Sequence, residues 1–231
     1  MTTTPPLARS LPELSGLVVA VLGGTGEQGR GLARRFALAG HDVVLGSRDA
    51  ARATAAALDL GQGLEGQVTG ADNASAARAG DIVVVAVPWE GHRELLVALA
   101  EQLADKIVVD CVNPLGFDKQ GAYALAVEEG SAAQQAQTVL PNSRVVAAFH
   151  HVSAVLLLDP AVISVDTDVL VLGDDREATD LVQALADQIP GMRGVYGGRL
   201  RNAHQVEALT ANLISVNRRY QAHAGLRVTD V

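Results

Sequence analysis

A glycine-rich segment between a short apolar run and a helical pattern is the feature that most limits how this chain can fold. The apolar run LVVAVL covers residues 17–22, GGTGEQG follows at once, and GLARRFALAG over 31–40 has helical spacing. Within the segment, Gly24, Gly26 and Gly29 form the pattern G-x-G-x-x-G. A strand, a tight glycine turn and a helix in this order begin a βαβ unit, in which the helix N-terminus faces an anion. We therefore predict a parallel sheet that binds the pyrophosphate of a dinucleotide at this turn.

The rest of the chain continues this alternation of short apolar runs and helical stretches. Strands are predicted at 17–22, 42–46, 67–70, 81–88, 106–112, 144–149, 168–173 and 193–197. Helices are predicted at 31–40, 49–58, 92–103, 128–139, 175–188 and 202–220, and residues 113–127 are expected to be irregular. This order predicts an α/β, Rossmann-like, doubly wound and mainly parallel sheet with a C-terminal helical segment. We expect an N-terminal tail (1–16), a dinucleotide-binding domain (17–197) and a helical segment (198–231) that packs on the same core.

Composition excludes several classes of protein. Of 231 residues, 48% are hydrophobic, which is ample for a core and excludes intrinsic disorder. The net charge of -8 argues against nucleic acid or an anionic membrane as a partner. The lone Cys111 can form neither an internal disulfide nor a Cys-rich metal site, and no apolar run reaches the roughly 18 residues that span a bilayer. We expect a soluble cytoplasmic protein with small-molecule partners, which assembles as a homo-oligomer, most simply a dimer.

The end of the second strand indicates which dinucleotide binds. Where NAD-binding proteins usually carry a carboxylate, this chain has Ser47 and Arg48, with Arg52 one turn further on. A hydroxyl and two guanidinium groups attract a 2'-phosphate, which favours NADP over NAD, and Thr25 adds a hydroxyl from the glycine turn. The alternative is that Ser47 or Asp49 caps the next helix and that both arginines are solvated; capping and phosphate binding are compatible.

The carboxyl ends of other strands should face the nicotinamide. One predicted strand ends in Val87-Pro88-Trp89, although Pro88 could equally start a helix and Trp89 pack in the core. Asn113-Pro114 is a weaker candidate. His150 and His151 follow another strand; adjacent side chains on an extended segment point apart, so we favour one of them orienting a bound ring over a shared metal ion.

The remaining histidines suggest no catalytic relay. We expect His41 at the surface, and His92, His204 and His223 lie in predicted helices without an identifiable partner. An alcohol or ketone substrate would need a proton donor, whereas hydride transfer between two flat cofactors needs mainly stacking and exclusion of water. The expectation is therefore that no protein group acts as an acid, base or nucleophile.

With these residues in view, the chain resembles the coenzyme F420 (deazaflavin)-dependent NADP oxidoreductases. The resemblance runs from about residue 17 to the C-terminus. Six segments carry it: residues 18–48, VPWE (87–90), KIVVDCVNPL (106–115), VVAAFHHV (145–152), LVLGDD (170–175) and NAHQVEALTANLISVN (202–217). It implies reversible hydride transfer between NADP(H) and coenzyme F420, with no covalent intermediate.

The resemblance also implies roles for particular residues. NADP would be held by Thr25, Glu27, Gln28, Ser47, Arg48 and Arg52, with Val87, Trp89 and Ala154 nearby. His150, Val152 and Ser153 would border the deazaflavin, with Val152 close to both rings; the archaeal pattern has Thr-Ile-Pro where this chain has His151-Val152-Ser153. Two alternatives stay open: an NADPH-dependent reductase of a flavin or a small imine or ketone, and a non-enzymatic NADP(H) redox sensor.

Overall fold

The computed structural model describes residues 11–64 and 66–231, so residues 1–10 of the expected tail lie outside the described part. The strands are β1 Val18–Leu22, β2 Asp42–Ser47, β3 Val68–Asp72, β4 Ile82–Val85, β5 Ile107–Asp110, β6 Leu115–Asp118, β7 Gly121–Ala124, β8 Arg144–Ala147, β9 Thr167–Gly173 and β10 Met192–Gly198. The α-helices are α1 Glu27–Leu38, α2 Ala50–Leu60, α3 Asn73–Ala79, α4 His92–Ala98, α5 Ala100–Leu103, α6 Ala132–Val139, α7 Ala154–Leu158, α8 Arg176–Asp187 and α9 Ala203–Tyr220.

Eight strands form one sheet in the order β10-β9-β8-β5-β4-β1-β2-β3. All neighbours from β3 to β8 pair in parallel, β8 and β9 pair antiparallel, and β9 and β10 are parallel to each other. The eight predicted strands are all present, so the prediction of a doubly wound, mainly parallel sheet is confirmed. The order reverses on either side of β1, which places a crevice above the carboxyl ends of β1 and β4.

Both faces of the sheet are buried, which is why its central strands are continuous apolar runs. Along β1, Val19 and Val21 belong to one core cluster, whereas Ala20 and Leu22 belong to the other. Helices α1, α2, α7 and α8 contribute to the first cluster, and α3, α4, α5, α6 and α9 contribute to the second. The site therefore stands on a sheet that is packed from both sides.

Some predicted elements need correction. The segment expected to be irregular contains the β6–β7 hairpin, whose turn is held because the Asp118 carboxylate accepts the N–H groups of Gln120 and Gly121. Helix α1 begins at Glu27 rather than at residue 31. The helix expected over 92–103 is interrupted at Leu99, whose ψ of 9° and φ of -110° are not helical.

The residues after α9 lack regular structure but are tied to the sheet edge. The buried Asp168 carboxylate of β9 accepts hydrogen bonds from Arg193 at 3.0 and 2.7 Å, from Arg227 at 2.6 Å and from the Val228 N–H at 2.6 Å. In the expected N-terminal tail, Leu14 is buried in the first core cluster. The division into 1–16, 17–197 and 198–231 stays a prediction. Within the described ranges, no helix combines the length and the apolar character that crossing a bilayer requires.

Candidate functional site

The glycine turn joins the end of β1 to the start of α1. Gly23, which the G-x-G-x-x-G pattern did not include, has a φ of +78°, and a Cβ there would lie 2.4 Å from the Ala86 carbonyl oxygen. The Gly24 N–H donates to the Gly46 carbonyl at 3.1 Å, which holds the turn against β2. Gly23 therefore supplies the left-handed conformation of the turn, a role that only glycine fills readily.

Gly26 and Gly29 are required for different reasons. A Cβ on Gly29 would lie 2.6 Å from the Gly23 carbonyl oxygen, so helix–turn packing excludes a side chain there. A Cβ on Gly26 would meet only that same oxygen, at an ordinary 3.4 Å. Gly26 is the N-cap of α1 and provides no side-chain cap for the first N–H groups of the helix. The protein's own packing thus leaves room at Gly26, as close approach of a pyrophosphate requires.

The end of β2 presents two arginines next to this turn. Ser47 is buried, and its Oγ accepts the Asp49 N–H at 3.3 Å. Asp49 caps α2 by accepting the Arg52 N–H at 3.1 Å, so the predicted capping alternative is observed. Arg48 and Arg52 are exposed, and neither forms an ion pair with a described carboxylate. Capping therefore leaves both guanidinium groups available to a phosphate.

The segment after β4 continues the wall of the crevice. The side chain of Val87 is 2.9 Å from the position that a Cβ of Gly23 would occupy, so it lies beside the glycine turn. Pro88 precedes a 3-10 helix over Trp89–Gly91. Trp89 is partly buried against the second core cluster and its ring lies 5.6 Å from that of His92. Trp89 has the packing role foreseen as an alternative, two residues after Val87, which lies beside the turn.

The segment after β8 carries the two adjacent histidines. Phe149 has a φ of +62°, uncommon for a residue with a side chain, and its ring packs edge-on against Phe36 of α1 at 5.9 Å. The Gln28 side-chain amide donates to the Phe149 carbonyl at 3.4 Å, which connects α1 to this segment. The histidine rings diverge: His151 Nε2 bonds to the Asp168 carbonyl at 2.7 Å, whereas His150 lies against the backbone of Cys111 and Val112.

His150 is a buried imidazole with unused hydrogen-bonding capacity. Neither ring nitrogen makes a hydrogen bond of good geometry to a described residue, although the Cys111 and Val112 carbonyls lie close enough to favour its protonation. Burial dominates and lowers the pKa of His150 to about 4, so the ring is neutral at pH 7. Its carbonyl accepts from Asn113 Nδ2 at 2.8 Å and from Thr210 Oγ1 at 3.0 Å. Asn113 was a weak candidate from sequence, and nothing in the helical pattern around Thr210 distinguished it.

Val152, Ser153 and Ala154 lead from this segment into α7. Val152 is buried in the first core cluster, Ser153 precedes α7, and Ala154 is its first residue. Ser153 Oγ lies 3.4 Å from His223 Nδ1, and His223 stands beyond the end of α9 rather than within it.

The expectation that His41 is at the surface is wrong, because the His41 side chain is 7% exposed at the start of β2.

A buried polar cluster lies beneath the crevice, and sequence reasoning missed it. His92, at the start of α4, is fully buried and bonds through Nε2 to Asp110 Oδ2 at 2.6 Å and through Nδ1 to Gln135 Oε1 at 3.1 Å. Asp110 ends β5, and its Oδ1 accepts the Val112 N–H at 3.0 Å. Glu207 of α9 accepts the N–H groups of Ala132 and Ala133 at 3.0 and 3.2 Å. No local motif reveals such a cluster, since its members are separated along the chain and meet only in the fold.

Burial sets the titration of the acidic and thiol groups in this region. Desolvation raises the pKa of Glu207 to about 7, against the opposing effect of its two backbone hydrogen bonds. Burial also raises the pKa of Cys111, whose Sγ lies 3.0 Å from the Val85 carbonyl oxygen. Cys111 is therefore an unreactive thiol in the native fold.

Several known proteins have sequences and structures related to those of this chain. Residues 18–114 match the family described as NADP oxidoreductase, coenzyme F420-dependent. The chain is 39% identical over 221 residues to an F420-dependent NADP reductase of Methanothermobacter thermautotrophicus, covering 92% of this chain and 95% of the relative. For the F420-dependent NADP reductase of Methanocaldococcus jannaschii, identity is 37% over 224 residues, covering 92% and 98%. The crystal structure of a putative F420-dependent NADP reductase from Arthrobacter sp. FB24 has a TM-score of 0.77 and 30% identity, covering 93% of this chain and all of the other.

Proposed function

This chain belongs to the family of coenzyme F420-dependent NADP oxidoreductases, and we propose on that premise how its residues bind the two cofactors and transfer the hydride. The protein is an NADPH:F420 oxidoreductase that uses NADP(H) and coenzyme F420. One observation carries the assignment of the dinucleotide end: Gly26 lacks a side chain where the protein itself leaves room for one. A ligand that approaches the backbone, and not the fold, accounts for glycine at this position.

The NADP site extends from the glycine turn to the end of β2. Gly24, Thr25, Gly26, Glu27, Gln28 and Gly29 surround the pyrophosphate, which the N–H groups of α1 attract. Ser47, Arg48 and Arg52 hold the 2'-phosphate, since neither arginine is engaged by a described carboxylate. Val87, Pro88, Trp89 and Ala154 line the remainder of the dinucleotide.

The deazaflavin site lies at the end of β8, beside His150, Val152 and Ser153. The neutral His150 ring offers one N–H donor and one acceptor nitrogen to a planar ligand, and Val152 supplies an apolar contact between the two rings. The cofactors supply the hydride chemistry, and the protein excludes water and aligns the two rings about 3–3.5 Å apart. No side chain acts as a nucleophile in this scheme.

The test is a spectral assay in which NADPH is mixed with oxidised F420. We expect the visible absorbance of the deazaflavin to bleach. Addition of NADP to reduced F420 should restore this absorbance. Parallel assays omit F420 and offer a free flavin, a cyclic imine or a ketone instead. Turnover only with these acceptors would favour the alternative reductase, and NADP(H) binding without any turnover would favour the redox sensor.

Three further features are proposals of the same kind. The protein acts in the cytoplasm, it is a homodimer, and residues 198–231 complete the 17–197 domain rather than forming a separate unit. Fractionation of cells that produce the protein tests the first. Light scattering coupled to size-exclusion chromatography measures the second, and limited proteolysis with mass spectrometry tests the third.

A further inference from the structure

The buried cluster beneath the crevice gives His92 a defined charge state. The Glu129 carboxylate can only accept, so the Gln135 amide nitrogen faces it at 3.1 Å and the amide oxygen faces His92 Nδ1. Nδ1 must then be the donor in that contact. At the other side of the ring, Nε2 meets Asp110 Oδ2 at 2.6 Å, and the second oxygen of Asp110 already accepts the Val112 N–H. With Asp110 as a carboxylate, Nε2 donates as well, and a ring that donates from both nitrogens is an imidazolium.

The charges around His92 support this state. Asp110 of β5 contacts the ring, Glu129 acts through Gln135 of α6, and the ionised fraction of Glu207 of α9 adds a more distant negative charge. Arg93, the next residue of α4, is paired with Glu129 and so does not oppose the imidazolium directly. Burial alone disfavours the charged ring, but the Asp110 charge and the hydrogen bonds to Asp110 and Gln135 outweigh it, and the pKa of His92 is raised.

His92 contacts one side of the crevice directly and is connected to the other through Asp110. On the dinucleotide side, its ring lies 5.6 Å from the Trp89 indole with an angle of 31° between the planes, the range in which a cation is attracted to an aromatic face. On the carrier side, Asp110 fixes the Val112 N–H, and the same turn carries Asn113, which holds the His150 carbonyl at 2.8 Å. One buried ring is thus connected to a residue of each proposed cofactor site.

We propose that His92 is a positioning residue: as a buried imidazolium it holds Trp89 at the nicotinamide side and, through Asp110, the turn that packs against His150 at the deazaflavin side. It touches neither cofactor, and its effect on the reaction rests on the proposed function. Loss of its charge makes both sides of the crevice less rigid at once. The distance between the nicotinamide and the deazaflavin is therefore affected more than the binding of either cofactor alone.

The charge state can be measured without any substrate or variant. In the wild-type protein labelled with 15N at histidine, we expect both ring nitrogens of His92 to be protonated at pH 7. Trp89 is the only tryptophan, and a protonated imidazole in contact quenches indole fluorescence. Its emission should therefore rise with pH at the same midpoint as the 15N signals of His92.

The positioning role is tested with His92→Gln, and His41→Gln serves as the control because His41 is also buried but stands at the amino end of β2. We expect His92→Gln to brighten Trp89 without a red shift and to lower kcat for F420 reduction about tenfold or more, with less than about threefold change in the Kd for NADPH. His41→Gln should leave all three unchanged. Unfolding alone would shift the emission to the red and reduce binding in parallel with turnover.

Several outcomes overturn the proposal. It fails if 15N spectra show an unprotonated His92 nitrogen at pH 7, or if folded His92→Gln keeps wild-type emission and kcat. If His92→Gln does not fold, Glu129→Ala, which removes the group that orients Gln135, should still lower the midpoint of the Trp89 titration, and an unchanged midpoint contradicts the proposal. A wild-type protein that does not reduce F420 refutes the proposed function, while the 15N and fluorescence results still decide whether His92 is charged and in contact with Trp89.

Discussion

The arginines at the end of β2 differ from the ion-paired arginines of the protein by what surrounds them. Arg193 and Arg227 share the Asp168 carboxylate, and Arg30 pairs with Asp59 at 2.6 Å. Arg48 and Arg52 have no such partner among the described residues. A guanidinium without a carboxylate keeps its donors for a phosphate, which is the basis of the 2'-phosphate site that we propose.

Arg48→Ala should therefore discriminate between the two dinucleotides. A lost charge-assisted hydrogen bond is worth about 1.5–3 kcal/mol, so the Kd for NADPH should rise about 10- to 150-fold. The Kd for NADH should change less than about threefold, because NADH lacks the 2'-phosphate. Calorimetric titration measures both, with Arg176→Ala as the matched control, since Arg176 is 95% exposed on α8. Equal losses for the two dinucleotides would contradict the assignment.

At the scale of elements, the glycine turn contains one glycine whose substitution should affect binding and, three residues later, one whose substitution should affect folding. Gly26→Ala should fold normally, with less than about 1 kcal/mol lost, because its Cβ meets only the Gly23 oxygen at 3.4 Å. It should weaken NADPH binding more than tenfold, because the added methyl group lies where we propose that the pyrophosphate approaches.

Gly29→Ala provides the contrast in the same turn. Its Cβ would lie 2.6 Å from the Gly23 carbonyl oxygen, so the free energy of unfolding should fall by about 1–3 kcal/mol. Chemical denaturation and NADPH titration of both variants distinguish the two effects. A Gly26→Ala protein with wild-type affinity would show that no ligand approaches this residue.

Sequence patterns predicted the elements of the large sheet because both of its faces are buried, which makes each strand a readable apolar run. The β6–β7 hairpin has no such pattern: Phe117 is 68% exposed, and the turn depends on one side chain, Asp118. Helix α7 was missed because five residues are too few for a helical period to appear.

The candidate site divides in the same way. The glycine turn and the β2 arginines lie within one local βαβ unit, so their spacing was visible. The His92 cluster was not, because Asp110 is 18 residues away and Gln135 is 43 residues away along the chain. Contacts of this kind become visible only once the packing of β5, α4 and α6 is known.

At the scale of the whole molecule, two buried groups give the stability opposite dependences on pH. The pKa of Glu207 is raised from 4.5 to about 7, so between these values the native state binds the proton that the unfolded chain has released, and stability falls as pH rises. The pKa of His150 is lowered from 6.5 to about 4, so stability falls as pH drops through that window. The two contributions nearly cancel where the windows overlap.

Glu207→Gln should reveal the pH dependence of stability that the cancellation conceals. Relative to this variant, the wild-type protein should lose about 3 kcal/mol of unfolding free energy between pH 4.5 and 7. Urea denaturation at a series of pH values measures the difference, and Glu177→Gln is the control, because the Glu177 side chain is 77% exposed. A pH-independent difference between wild type and Glu207→Gln would show that Glu207 titrates normally in the native state.

The reactivity of the single thiol can measure how often this fold opens. Cys111 stands at the end of β5, 5% exposed, and a reagent such as iodoacetamide can reach it only when the centre of the sheet separates. The alkylation rate of the intact protein therefore reports the frequency of those rare openings, with no engineered label or dye. Saturating NADP should slow alkylation by the factor by which its binding stabilises the folded state over the open one. The alkylation rate of one native thiol therefore reports how often the molecule opens and how strongly its cofactor keeps it closed.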